Sequence, residues 1–234
     1  MRINNLLINN NQNRILSFGS KNCPIEPFTI QTTKSPLFVE EMPNKDIWKT
    51  LNFEFDCLTT SVAAWEPYKN CSKAHRSYFL SYLGKFLKHC RDKNDGNSTI
   101  LIAKDLNNDV KALFNLQSLD KSIIAEVDDP KTAYINDCFV DAQYRSQGVG
   151  QKIIDKNLKT ADGRFSDILL TADNKAINFY KRVGFSALDT TNPEIKKVSD
   201  YILNLRRDRD CLTLMSKSLN PADPWWARMV KLIK

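Results

Sequence analysis

The sequence predicts a mixed α/β fold, and three observations carry that expectation. Short runs rich in apolar residues, STILIA at 98–103, VKALFNL at 110–116 and AYINDCFV at 133–140, read as strands. Elsewhere apolar residues recur at helical spacing, most clearly Tyr78, Phe79, Tyr82, Leu83, Phe86 and Leu87. The order in which these segments follow one another is strand, two helices, three strands, helix, strand, helix, strands.

Taken in chain order, residues 1–25 are polar and rich in asparagine and are expected to form an N-terminal arm. A first strand falls around 26–32. Asn44 is placed to cap a helix whose inner face takes Ile47, Trp48, Leu51 and Phe55. Ser72 is placed to cap the second helix, which DKNDGN ends with a turn. KDLNND then joins the strands at 98–103 and 110–116 as a hairpin. SIIAEV and AYINDCFV are the next strand candidates, followed by a helix over 148–160. FSDILLTA at 165–172 has the composition of a buried strand. A short helix runs from Lys175 to Val183, a strand begins at Phe185, and CLTLMS at 211–216 closes the order. Residues 26–217 are thus expected to form a single domain. The tail at 218–234 holds Trp225 and Trp226, then Arg228, Lys231 and Lys234 at i, i+3 and i+6. It reads as a short amphipathic helix docking on the fold, with contact to a membrane surface or polymer as the alternative.

Of 234 residues, 42% are hydrophobic and 26% charged, an ordinary globular balance. No window approaches the 18 apolar residues of a membrane span. The net charge is +7, and 12 Lys/Arg against 6 Asp/Glu from Lys175 to Lys234 supply +6 of it. Such a region is either a solvated face or a surface for anionic partners. The six cysteines include no CxxC pair, and there are two histidines, so no metal site is expected. Reduced cysteines and the lack of a signal-like N-terminus point to a cytoplasmic location.

The stretch QYRSQGVGQKII at 143–154 concentrates the chemistry. It places Gly148 and Gly150 two apart at the start of a helix, beside Arg145. The first amides of a helix have no partners within it, and they attract anions. Bare backbone and a cation there suit a phosphate or pyrophosphate, with a tight turn and close helix packing as the competing reading. The P-loop string GxxxxGK[ST] is absent, and a three-glycine dinucleotide fingerprint is not formed.

FVDAQYRSQGVGQKII resembles the acyl-coenzyme-A-binding segment of the GCN5-related N-acetyltransferases (the GNAT superfamily), with Arg145, Gly148 and Gly150 on the fixed positions of [R/Q]xxGx[G/A]. ADNKAINFYKRVGF at 172–185 resembles a second motif, N-x-A-x-x-F-Y-x-x-x-G-F, through Asn174, Ala176, Phe179, Tyr180, Gly184 and Phe185. The resemblance spans about residues 98–217. It implies the acyl-CoA N-acyltransferase fold, a mostly antiparallel mixed sheet splayed at the cofactor site and flanked by helices. It implies acetyl-CoA as cofactor. The segment Arg145, Ser146, Gln147, Gly148, Val149 and Gly150 would hold the pyrophosphate. The backbone of Cys138, Phe139 and Val140, opened by a bulge, would pair with the pantetheine arm. Asn174 would lie near that arm, and Tyr180 near the thioester sulfur as general acid.

The implied reaction is direct acetyl transfer to a primary amine in a ternary complex. The acceptor is a small molecule or a peptide, and a nucleic-acid-linked amine is the variant that the basic C-terminal third suggests. Base candidates are Asp137 and Glu126, with a water chain as the alternative. Strand alternation puts Asp137 on one face with Ile135 and Phe139 unless a bulge resets the phase. Trp65 and Tyr68 are candidates for acceptor contact. Cys138 reads as a small buried hydrophobe rather than a nucleophile. The alternative function is a catalytically inactive acyl-CoA sensor or interaction protein.

Overall fold

A computed structural model describes residues 25–92, 98–119, 127–161, 163–204, 209–219 and 224–232. The described strands are β1 (Phe28–Ile30), β2 (Leu37–Glu41), β3 (Thr99–Lys104), β4 (Val110–Leu119), β5 (Asp129–Val140), β6 (Asp167–Asp173), β7 (Ser186–Ala187) and β8 (Leu212–Ser218). They form one sheet in the order β1-β2-β3-β4-β5-β6-β8-β7. Every pairing is antiparallel except β5 with β6. The described helices are α1 (Ile47–Ser61), α2 (Lys73–Asp92), α3 (Val149–Ala161), α4 (Ile177–Arg182), α5 (Pro193–Asn204) and α6 (Trp225–Leu232). The expected strand SIIAEV lies almost wholly outside the described residues, as does the N-terminal arm.

Alternating side chains divide the core between the two faces of the sheet. On one face, Leu101, Phe114, Ile135, Ile168 and Leu170 pack against Val149, Ile153 and Ile154 of α3 and Tyr180 of α4. The opposite face has two parts. Over β3 and β4, Leu51 and Phe55 of α1 and Leu83 and Leu87 of α2 cover Ile100, Ile102 and Leu113. Over β5, β6 and β8, Val198 and Ile202 of α5 with Trp225 and Met229 of α6 cover Tyr134, Leu169 and Leu214. Each such side chain fully removed from water contributes about 1.5–3 kcal/mol.

Several local expectations are revised. Asn44 opens a 3-10 turn rather than capping α1. The residue before α1 is Asp46, which makes no side-chain cap because its carboxylate accepts from Lys104 Nζ at 2.8 Å. Trp48 is 62% exposed, and the inner stripe of α1 holds Thr50 and Glu54 instead. On α2, Tyr78 and Tyr82 also face outward, while Ser72 does cap, its Oγ accepting from His75 N at 3.3 Å. The hairpin at 105–109 forms as expected, with Asn108 at φ 61° and the Asp105 carboxylate accepting from the amides of Asn107 and Asp109.

Arg228 is turned inward rather than facing solvent with Lys231. Its guanidinium donates to Asp129 Oδ2 at 3.0 Å, Thr132 Oγ1 at 2.8 Å and Asp167 Oδ2 at 3.1 Å. These partners stand at the start of β5 and of β6, where Thr132 pairs with Asp167.

Candidate active site

The register of β5 creates the site. Against β4, Asp137 pairs with Asn115 but Ile135 pairs with Leu116, so Asn136 is an extra residue. This bulge resets the alternation. Ile135 therefore shares a face with Cys138 and Val140, beside α3, while Asp137 and Phe139 turn toward α1 and α2. The unbroken alternation grouped Ile135 with Asp137, and the bulge corrects it. Against β6, residues 132–135 pair with 167–170 and the ladder stops there. β6 runs on with β8 to Asp173. The two parallel strands thus separate, leaving the edge of residues 136–140 open toward β6.

The loop after β5 turns under this gap. Asp141 caps a 3-10 turn by accepting from Gln143 N at 2.9 Å. Ser146 and Gly148 both take left-handed backbone, at φ 60° and 76°. The helical ladder of α3 begins with Lys152 N donating to Gly148 O at 2.9 Å, so the amides of Val149, Gly150 and Gln151 precede it. The two glycines answer different needs. A Cβ on Gly148 would meet only Lys152 Cε, at 4.0 Å, so that position is constrained by its φ and borders open space. A Cβ on Gly150 would stand 3.1 Å from Phe179 Cζ and 3.6 Å from Val140 Cγ2. Gly150 serves the close approach of α3 to α4, which is the packing half of the reading from sequence.

Three polar side chains of this loop, Tyr144, Arg145 and Gln147, are engaged by the protein. Gln147 Oε1 accepts from Thr33 N at 2.8 Å and Thr33 Oγ1 at 2.9 Å, while its Nε2 donates to Gln143 O at 2.8 Å. Ser35 Oγ and Tyr144 Oη lie 2.9 Å apart. The turn between β1 and β2 is thereby clipped to the loop. Arg145 folds back rather than pointing out of the mouth: its Nε donates to Val140 O at 2.9 Å, and Nη2 to Ser61 Oγ at 3.2 Å. Asn174, exposed at the end of β6, accepts from Thr213 Oγ1 at 3.0 Å.

Tyr180 reaches the gap from α4. It is 8% exposed, its ring set edge-on to Phe179 and Phe185 at 5.0 and 5.9 Å, and its hydroxyl is hydrogen-bonded to the Cys138 thiol. Burial first, and then the thiol, hold its hydroxyl well above the usual tyrosine range, so the proton stays on. Burial likewise pushes Cys138 up to about 12, against the pull of the Tyr180 hydrogen bond. A thiol so held is a poor nucleophile at neutral pH.

On the α1 side, Asp137 is 8% exposed and its Oδ2 accepts from Asn115 Nδ2 at 3.0 Å. Facing it is Glu54, 2% exposed, whose carboxyl burial and then the Asp137 charge hold well above the usual range. Trp65 and Tyr68 lie in the 3-10 turn after α1, with ring centroids 5.3 and 4.6 Å from that of Phe79. Trp65 and Phe139 both pack on the α1–α2 core. Glu126 lies outside the described residues.

Residues 62–185, more than half of the chain, match the family model described as "Acetyltransferase (GNAT) family". The chain belongs to the GNAT acetyltransferase family. Solved structures share the fold. A GNAT-family acetyltransferase from Staphylococcus aureus Mu50 is 14% identical, covering 79% of this chain and 99% of that one, with a TM-score of 0.50. An acetyltransferase from Streptococcus agalactiae 2603 is 19% identical, covering 78% and 98%, at 0.50. PH1933 from Pyrococcus horikoshii OT3 is 20% identical, covering 79% and 99%, at 0.51.

Within this GNAT framework the β1–β2 hairpin, α1 up to Ser61, and α5 and α6 fall outside the matched span. Two residues there were missed from sequence. Thr33 sits in a polar turn with no periodic signal. Glu54 did carry one, since it follows Ile47 by seven and Leu51 by three, on the buried stripe of α1. Among the described residues, no helix is long and apolar enough to cross a membrane, and no cluster of His, Cys, Asp and Glu is suited to a metal.

Proposed function

We propose that this GNAT protein transfers an acetyl group from acetyl-CoA to a primary amine, directly, within a ternary complex. The observation that carries the reading is the gap between β5 and β6. It opens onto an unpaired strand edge and the buried Tyr180 hydroxyl, and the helix-start amides lie beneath it. A CoA thioester fits these donors: open space borders Gly148, where a Cβ would be free of protein apart from Lys152. Acetyl-CoA supplies the activated acyl group.

The amides of Val149, Gly150 and Gln151 hold the pyrophosphate, with Arg145, Ser146, Gln147 and Gly148 shaping the loop. The open edge at Cys138, Phe139 and Val140 pairs with the pantetheine amides. Asn174 stands at the far side of the gap, at the end of β6. Tyr180 donates its proton as the sulfur gains charge. A buried carboxyl on the α1 side takes the proton of the amine. Trp65 and Tyr68 wall the acceptor's approach, and the acceptor is a small-molecule or peptide amine.

Calorimetric titration with acetyl-CoA, followed by thiol release across a panel of primary amines, tests this. Binding with amine-dependent release is expected. Binding without release on any amine supports an acyl-CoA sensor, and no binding at all overturns both readings.

Two variants probe the cradle. Gly148→Val places a β-branched residue at φ 76°, a strain of roughly 1–3 kcal/mol that the exposed loop relieves by changing shape. Acetyl-CoA affinity is expected to fall at least about tenfold, by about 1.4 kcal/mol or more, with a smaller loss of folding stability. Unchanged affinity in the folded variant would count against the cradle. Thr33→Val removes the hydroxyl of the Gln147 clip. Its expected effect is a rise in KM for acetyl-CoA of about three- to tenfold, the worth of about one hydrogen bond, at constant kcat. Thr33→Ser keeps the hydroxyl and should keep the native KM.

A further inference from the structure

Glu54 is a carboxylic acid in a place where packing asks for none. Its neighbours on the inner stripe of α1 are Leu51 and Phe55, and it is as buried as they are. Its Oε2 has no hydrogen-bond partner among the described residues. Leaving a buried polar atom unsatisfied costs stability, and a leucine would carry no such cost. The fully buried Asn115 also has an unpartnered oxygen, Oδ1, while its amide nitrogen donates to Asp137. A polar cluster drawn from α1, β4 and β5 therefore stands at the bulge, where β5 leaves β6.

Two facing carboxyls in so dry a place do not both ionise readily, so their roles separate. Asp137 Oδ2 is already occupied by Asn115 Nδ2. Glu54 keeps an uncommitted oxygen, and the negative charge of Asp137 makes that oxygen more basic. A proton acceptor needs an oxygen of raised basicity that no other hydrogen bond claims.

We propose that Glu54 is the proton acceptor for the attacking amine, and that Asp137, held by Asn115, is a positioning residue facing it. The assignment rests on the acyl-transfer reading. In the transfer, the amine nitrogen bonds to the acyl carbon as the carbon–sulfur bond breaks. The sulfur keeps that electron pair and takes the hydroxyl proton of Tyr180. The nitrogen's proton goes to Glu54, and solvent returns one from Glu54 to Tyr180 between turnovers. The other ionisable groups nearby are Asp56 and Cys57 on the same helix. Arg76 of α2 pairs with Asp56 and covers the Phe55 ring. Arg145 and Asp141, after β5, act on Cys57. None of these stands on the buried stripe of α1 that faces Asp137.

The experiment is the pH profile of kcat/KM for native protein, Glu54→Gln and Asp137→Asn. It uses acetyl-CoA and whichever amine of the panel gives the fastest thiol release. It is paired with an infrared titration of the protonated-carboxyl band in the same proteins without substrate. Glu54→Gln is expected to lower kcat/KM about 100-fold and to abolish the acid limb. Asp137→Asn removes a negative charge from beside Glu54, so its acid limb should survive and move to lower pH. In the infrared, the native protein should keep protonated carboxyl above the usual carboxylate range from two sources, Glu54 and Asp167. Glu54→Gln should remove one of the two contributions, and Asp137→Asn should shift that same one down. An acid limb that persists in Glu54→Gln, or one lost only in Asp137→Asn, overturns the assignment. Should Glu54→Gln fail to fold, the two native contributions and the shift of one of them in Asp137→Asn decide: one missing, or neither moved, overturns the proposal. No thiol release with any amine overturns acyl transfer and the base together, whereas release that ignores Glu54 overturns only the base.

Discussion

Phenylalanine at position 180 is expected to slow turnover by about 10²–10⁴-fold, the usual range for a lost general acid, while acetyl-CoA affinity stays within about twofold of native, a difference below 0.5 kcal/mol. The ring of Tyr180 supplies the packing, set between Phe179 and Phe185 and against the α3 core, and phenylalanine keeps all of it. What disappears is one hydroxyl, buried, protonated and aimed at a sulfur atom already, that of Cys138. A thiol is a weak hydrogen-bond partner, so the hydroxyl exchanges it cheaply for a sulfur that is gaining negative charge. Steady-state kcat and calorimetric affinity, measured side by side, separate chemistry from binding. A native kcat in the phenylalanine variant would remove Tyr180 from the reaction.

Arg228→Met is expected to destabilise the fold by about 3–5 kcal/mol, because it leaves Asp129 and Asp167 buried without their cation. For a chain of this size that corresponds to a fall in Tm of roughly 6–20 °C. The loss should depend on pH. Burial lifts the Asp167 carboxyl above its ordinary range even with Arg228 bonded to it. The folded state therefore binds that proton more readily than the unfolded state does. Ionising Asp167 costs stability as pH rises past its unfolded value, and the cost is regained as pH falls back through the raised folded value. Without Arg228 the cost is larger, so the deficit of the variant should be greatest near neutral pH and should narrow on acidification. Thermal melts between neutral and mildly acidic pH check this, and a deficit independent of pH would show that packing rather than charge holds the helix.

The readable parts of this chain were those where composition and period agree. The runs over β3, β4, β5 and β6 are apolar and bounded by turn residues; β3 and β6 emerged within two residues of their expected limits, while β4 runs on to Leu119 and β5 begins at Asp129. The loop at 145–150 was legible because two left-handed or closely packed positions demand small residues. Other features leave little trace in a one-dimensional pattern. An inserted residue such as Asn136 changes no composition, yet it decides which way Asp137 faces. β2 is five residues, LFVEE, and α5 buries only Val198, Ser199 and Ile202, a stripe too thin to stand out. Trp48, Tyr78 and Tyr82 are large and apolar at helical spacing, yet they face outward, because hydrophobicity alone does not select the inner stripe. On α1, Thr50 and Glu54 occupy that stripe instead, Thr50 with its hydroxyl donated to Asp46 O one turn back. Thr33 and Gln147 lie 114 positions apart, and nothing local announces their contact.

Arg228 also has a mechanical consequence. It ties the starts of β5 and β6 together at the end of their shared ladder opposite to the divergence. The two strands then behave like the arms of a pair of tweezers, joined at Thr132 and Asp167 and spreading beyond Ile135 and Leu170. Slack at the joined end tilts the arms and alters the aperture at their tips. A helix that touches no reacting group thus sets the width of the jaw in which thioester and amine would meet.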